Sequence, residues 1–153
     1  MTEILSANLS DCDEIILLQK LAYQVEATLY QDWNIPPLTQ TVEHLRSEFT
    51  NLVILKAIKD GKIIGSVRAQ LIDDVCHIGR LIVHPDFQEQ GTGSALLQKI
   101  EQVYPQTKTF ELFTGSKSEN NIRFYQCKDY KISHTKLLSE KLTLVYLRKS
   151  STA

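Results

Sequence analysis

The chain has 153 residues, a length that fits one domain built on one hydrophobic core. Hydrophobic residues make up 42% and charged residues 23%, a balance that excludes a disordered body. Basic and acidic residues are interspersed and the net charge is -1, so no basic stripe exists to track a nucleic acid, although backbone amides can still hold a small anion.

Cys12, Cys76 and Cys127 are too widely spaced for a disulfide framework or a zinc site, and no other cluster suggests a metal. The first residues lack a basic segment followed by a long apolar one, and no apolar run approaches the length of a membrane span. The expected compartment is the cytoplasm, with no membrane partner. Residues 1–149 read as a single domain and residues 150–153 as a loose tail.

Residues 3–7 suit a short strand. Ser10 with Asp13 three positions on reads as a helix start, followed by Leu17, Leu18, Leu21, Ala22, Val25 and Leu29 in a helical stripe. Trp33, Asn34, Ile35, Pro36 and Pro37 break that helix, and Thr39 or Thr41 caps a second one ending near Phe49. Residues 52–59, 62–72 and 75–83 are β-rich, and the turn signals Asp60-Gly61 and Asp73-Asp74 join them into an antiparallel meander. An amphipathic helix follows over residues 94–104, stopped by Pro105. A strand over 109–114, a short helix over 118–127 and a final hairpin over 130–137 and 141–147 complete the order βααβββαβαββ. The fold class is α/β, a mixed, mostly antiparallel sheet flanked by helices.

The most informative stretch joins the third meander strand to the amphipathic helix. It contains Gln88, Glu89, Gln90, Gly91, Thr92, Gly93 and Ser94. A helix N-terminus exposes unpaired N–H groups and a partial positive charge, and glycine lets the backbone approach an anion closely. Together they form a phosphate site. No lysine follows Gly93, which excludes the nucleotide P-loop; Leu96 stands where the dinucleotide fingerprint needs its third glycine.

Gln88, Gly91 and Gly93 match the [Q/R]-x-x-G-x-[G/A] core of the GNAT superfamily of N-acetyltransferases, and the flanking run from Leu81 through Leu97 resembles that family's central motif. Downstream, Asn120, Asn121, Ile122, Arg123, Phe124 and Tyr125 resemble the family's second, Asn…(Leu/Phe)-Tyr motif. Asp129 stands where that motif usually carries glycine. The element order is also similar, so the likeness covers nearly the whole chain. The resemblance implies acetyl-CoA as cosubstrate and a small-molecule or peptide amine as acceptor. It implies a sheet split after the third meander strand, with the backbone of Leu81, Ile82 and Val83 against the acetyl and pantetheine groups. The amides of residues 88–94 then hold the pyrophosphate, and Asn121 and Tyr125 face the cofactor. Homodimers occur in the family.

Amine acetylation needs a neutral amine, a stabilised oxyanion and a proton for the leaving thiolate. The resemblance makes Tyr125 the general acid. His77 is the first candidate base, because a regular strand puts residues 77, 79, 81 and 83 on one face. Glu111 is the second, and a water chain the third. Tyr23, Tyr30 and Trp33 lie where the acceptor pocket is expected, and Glu26, Asp32, Glu43 and Glu48 either attract a cationic amine or are solvated helix positions. A non-catalytic CoA-binding module is the alternative reading, and a phosphate-binding protein unrelated to CoA the second alternative.

Overall fold

The computed structural model describes residues 2–150. Strands β1 (Glu3–Ser6), β2 (Val53–Lys59), β3 (Lys62–Ile72), β4 (Val75–Val83), β5 (Thr109–Gly115), β6 (Lys131–Ser139) and β7 (Leu142–Ser150) form one seven-stranded sheet in the order β1-β2-β3-β4-β5-β7-β6. All neighbours pair antiparallel except β4 and β5, which are parallel. The meander is locally encoded. Asp60 and Gly61 in one turn, and Asp73 and Asp74 in the next, all take positive φ, as a two-residue turn of matching twist requires.

Helices α1 (Cys12–Ala22), α2 (Gln24–Tyr30), α3 (Pro36–Thr39) and α4 (Val42–Glu48) lie on one face. Helices α5 (Thr92–Glu101) and α6 (Glu119–Cys127) lie on the other. On the α5 face, Leu96, Leu97 and Ile100 pack against Val67, Ala69, Cys76, Ile78, Leu112 and Leu147. On the α1 face, Ile15, Ile16 and Leu18 pack against Leu45, Ile54 and Ile82.

The first helix differs from the expected one. A 3-10 turn over Leu9–Asp11, closed by an Asn8–Asp11 capping box, leads into it, so it starts at Cys12 rather than after Ser10, and it breaks at Tyr23 into α1 and α2. Leu17 and Val25 of the expected stripe are 70% and 66% exposed, while Leu18 of that stripe is buried together with Cys12, Ile15, Ile16 and Gln19. The run Ile15, Ile16, Leu17, Leu18 is apolar all round, so periodicity alone does not choose its inner face. Thr41 caps α4 through the His44 amide at 3.1 Å. The short α3 was not expected. The α5 helix starts at Thr92, two residues before the expected start at Ser94. The C-terminal strand reaches Ser150, and Lys149 Nζ is held by Glu101 at 3.1 Å, so the chain is not loose at 149–150. Residues 151–153 of the expected tail lie outside the described residues.

A buried polar network pins α1 and α4 to the sheet. Arg68, 3% exposed, donates to Glu48 Oε1 at 3.0 Å, Gln40 Oε1 at 3.0 Å and Gln19 Oε1 at 2.5 Å. Burial lowers the Arg68 pKa to about 10, opposed by Glu48, so the side chain stays charged at neutral pH.

Gly115, at the end of β5, is a steric requirement. A Cβ there overlaps the Tyr30 hydroxyl and Cζ and comes 2.9 Å from Cε2. The Tyr30 ring is 4% exposed, and its hydroxyl accepts from the Lys117 amide at 2.8 Å and pairs with Ser118 Oγ at 3.0 Å. Gly115→Ala is therefore expected to cost about 2–3 kcal/mol in urea unfolding, as overpacking of a rigid site does. Adding Tyr30→Phe removes the worst overlap, so the double variant should lose less than the sum of the singles.

Candidate active site

The β4–β5 pair is short. Its register covers only Val75↔Thr109, Cys76↔Phe110 and His77↔Glu111. Beyond that point residues 78–83 and 112–115 diverge and open the sheet into a V. The V leads into a cleft of about 1140 Å³ lined by α2, both diverging strands, the start of α6 and the β6–β7 hairpin. Leu81, Ile82, Val83, Gln88, Asn121 and Tyr125 all line it.

At the mouth, Gly91 takes φ 84° as the N-cap of α5. No side chain caps this helix, and no acidic residue lies in its first turn. Its first amides therefore face outward without an internal competitor for an anion. Glu89 also takes positive φ, 63°, which turns the loop back over the helix end. A Cβ on Gly93 would stand 3.7 Å from Val83 and 3.8 Å from Phe124, so the residue sits in the gap between β4 and α6. Gln88, Glu89, Gln90 and Gly91 are exposed, Gly93 and Ser94 are half-buried and Thr92 is buried. Lys59 Nζ reaches Gln90 Oε1 at 3.4 Å and adds positive charge beside the loop.

Tyr125 is set by α6. Its ring packs edge-on against Phe124 and Tyr130, with centroids 5.3 and 5.9 Å away. Its hydroxyl has no hydrogen-bond partner among the described residues. Burial, then the neighbouring Tyr23 and Glu26, push its pKa well above the usual phenol value, so it holds its proton at any physiological pH. The helix ends in a Schellman motif: the Tyr130 amide donates to Tyr125 O at 3.1 Å and the Asp129 amide to Gln126 O at 3.1 Å. Asp129 takes the left-handed φ of 73° that the usual glycine would adopt.

His77 does not share a face with Leu81 and Val83. Ser66 pairs with Ile82 and Arg68 with Gly79, so β4 carries one residue more than β3 across this interval. The extra residue is accommodated by a bulge at Arg80, whose φ is 51°. The bulge flips the parity. Cys76, Ile78 and Leu81 face α5, whereas Ile82 faces α1. His77 points away from the cleft, where its Nδ1 lies 3.4 Å from Glu111 Oε1. Glu111 is likewise outside the cleft lining, and Arg148 Nε donates to its Oε2 at 2.7 Å.

Two carboxylates line the cleft, Glu119 at the start of α6 and Glu26, and Glu26 is the one bonded across it. The break at Tyr23 aims α2 across the V. There Glu26 accepts from Ser118 Oγ at 2.6 Å and from Asn121 Nδ2 at 3.4 Å. In the sequence it is one acidic helix position among several; only the break separates it from Asp32, Glu43 and Glu48. Asp32 accepts from the Asn34 amide, Glu43 is exposed, and Glu48 pairs with Arg68. Tyr23 and Tyr30 also line the cleft, while Trp33 is 51% exposed outside it. Val25 and Leu29, stray apolar residues on α2, belong to its rim.

None of the three cysteines lines the cleft, and only Cys127 is exposed. Cys76 is fully buried, and burial with nearby Glu101 raises its thiol to about 11. His84 caps its own turn by accepting from the Asp86 amide at 3.0 Å. Among the described residues no His/Cys/Asp/Glu group is arranged to hold a metal, and no helix is long and apolar enough to cross a membrane.

The chain is similar to solved structures over almost its full length. It superposes on the PaiA N-acetyltransferase of Thermoplasma acidophilum in complex with coenzyme A with a TM-score of 0.83, at 17% identity, covering 99% of each chain. It superposes on the ribosomal-protein-S18-alanine N-acetyltransferase of Escherichia coli with a TM-score of 0.80, at 17% identity, covering 100% of this chain and 96% of that one. A curated relative, the UPF0157 protein YqkA of Bacillus subtilis (strain 168), is 26% identical over 131 residues, 86% of this chain; the match spans only 38% of that protein's length. The structural likenesses establish the fold alone. The model of the acetyltransferase (GNAT) family, however, matches residues 15–128, and the chain belongs to that family.

Proposed function

We propose that this protein transfers the acetyl group of acetyl-CoA directly to an amine. The observation that carries this reading is the V-shaped opening of the sheet, with an uncapped helix end at its mouth and a protonated, unbonded phenol inside it. These features fit the cofactor. The amides at the start of α5 suit a pyrophosphate, and the free backbone edge of residues 79–83 suits a chain of amides and a thioester. Bound there, acetyl-CoA supplies an activated acyl group.

The residues divide the remaining work. The backbone of Leu81, Ile82 and Val83 orients the acyl group, and Gln88 through Ser94 fix the anionic end. Glu26 receives the ammonium and takes its proton, replacing His77 and Glu111 in that role because it alone of the three lines the cleft. Tyr125 returns a proton to the departing sulfur. No cysteine lines the cleft, which favours direct attack over a covalent acyl-enzyme.

The test is acetyl-CoA binding by calorimetry, followed by thiol release with a panel of amines. Binding with transfer to at least one amine supports the reading; wild-type protein that binds no acetyl-CoA overturns it. Glu26→Gln is expected to lower kcat/KM at neutral pH by about 10²-fold, the usual effect of removing a positioned base. The loss should shrink as pH rises toward the acceptor's own pKa, because free amine then needs no base. A deficit constant from neutral to alkaline pH would remove Glu26 from proton transfer.

A further inference from the structure

Arg80 occupies a costly position for which the acetyl-transfer reading gives no use. It is the bulge residue of β4, held at a φ of 51° that long side chains rarely adopt. Its side chain lies on the α1 face, the side away from the glycine loop, and lines both the main cleft and an adjoining space of about 380 Å³ bounded by Pro36, Gln40 and His44. It forms no ion pair among the described residues, and its Nε is buried with no partner. Glu48, on α4, is already committed to Arg68 at 3.0 Å. Among the described residues Arg80 is thus left without a carboxylate of its own. A partly buried, unpaired cation is unfavourable unless an anion arrives to meet it.

Tyr23 orders the charges along this half of the cleft. Burial raises the pKa of its phenol, opposed by the neighbouring Arg80, which also hydrogen-bonds to it, and assisted by Glu26. Glu26 in turn stands beside Tyr125, at the acetyl end. Glu26 and Arg80 thus line the same cleft, together with Lys117, Lys136 and Glu119. Phe113 and Tyr146, with ring centroids 5.3 Å apart, line the cleft as an aromatic pair, and His134 stacks on Tyr146 from outside the lining.

We infer that the acceptor carries a carboxylate close to its amine, as a free amino acid does, and that Arg80 binds that carboxylate while Glu26 holds the amine. This rests on the acetyl-transfer reading. One uncompensated guanidinium, with a planar fork of donors, matches a single carboxylate in charge and shape better than a phosphate dianion.

The test compares each L-amino acid with its own carboxamide as acceptor, at saturating acetyl-CoA, by thiol release. At least one acid is expected to exceed its amide by about 10- to 100-fold in kcat/KM, the worth of one charged hydrogen-bonded pair, with most of the difference in KM. Arg80→Gln should bring that ratio close to one, Arg80→Lys should retain part of it, and acetyl-CoA affinity should be kept in both. Amides used as well as acids, or a preference that survives Arg80→Gln, would overturn the assignment. So would a protein that binds acetyl-CoA and acetylates other amines but no amino acid, an outcome that leaves acetyl transfer standing. Failure to bind acetyl-CoA at all sinks the proposed function itself, and the acceptor assignment with it.

Discussion

Replacing Tyr125 with phenylalanine should lower kcat by about 10²–10³-fold while leaving acetyl-CoA affinity within a factor of about three. The substitution removes one oxygen and keeps the ring. Edge-on packing against Phe124 and Tyr130 survives, and because the hydroxyl has no partner among the described residues, no buried group is orphaned. Stability should therefore be unchanged, and any loss of rate belongs to the chemistry. A phenol whose pKa lies far above neutrality is poorly suited as a base but always carries a proton to give. Stopped-flow measurement of thiol release at saturating acetyl-CoA and amine reads the effect directly. Full turnover by Tyr125→Phe would show that the sulfur departs unassisted or draws its proton from water. A loss confined to KM would make Tyr125 a binding residue only.

The sequence is most readable where local chemistry dictates the backbone. Asp60-Gly61 and Asp73-Asp74 mark tight turns because aspartate and glycine tolerate positive φ, and both turns form where expected. Asp129 is readable for the same reason. The glycine loop shows because two glycines before an amphipathic helix are costly unless used. The Arg80 bulge leaves no such mark. Val75 through Val83 has no break in composition, and one extra residue changes which side chains share a face without changing any residue type. That single insertion removes His77 from the cleft and places Arg80 in it. Glu26 was legible only as one of four acidic positions able to attract a cationic amine. Its role depends on the helix break at Tyr23, which neither proline nor glycine announces. Nor does Gly115 advertise itself, since its need arises from Tyr30, far away in sequence.

The glycine loop gives the second large effect. Gly91→Glu with Gly93→Glu should weaken acetyl-CoA binding by at least about 10²-fold, the equivalent of losing two charge-assisted hydrogen bonds. The fold should survive at a cost of about 1–2 kcal/mol, because Gly91 sits at a φ of 84° that strains any side chain. A Cβ on Gly91 meets nothing within 4 Å, and one on Gly93 makes only ordinary contacts with Val83 and Phe124. Carboxylates in the first turn also favour the helix by complementing its dipole. That same complementarity is what defeats the ligand, because the introduced carboxylates compete for the amides and repel the pyrophosphate. Gly93→Ala separates shape from charge. Its single methyl projects into the gap between β4 and α6, so a measurable loss of affinity from that change alone would show that the cofactor passes through this gap. Binding that persists within a few-fold in the double variant would instead place the anionic end elsewhere, and α5 would be left as a helix whose open N-terminus serves no ligand.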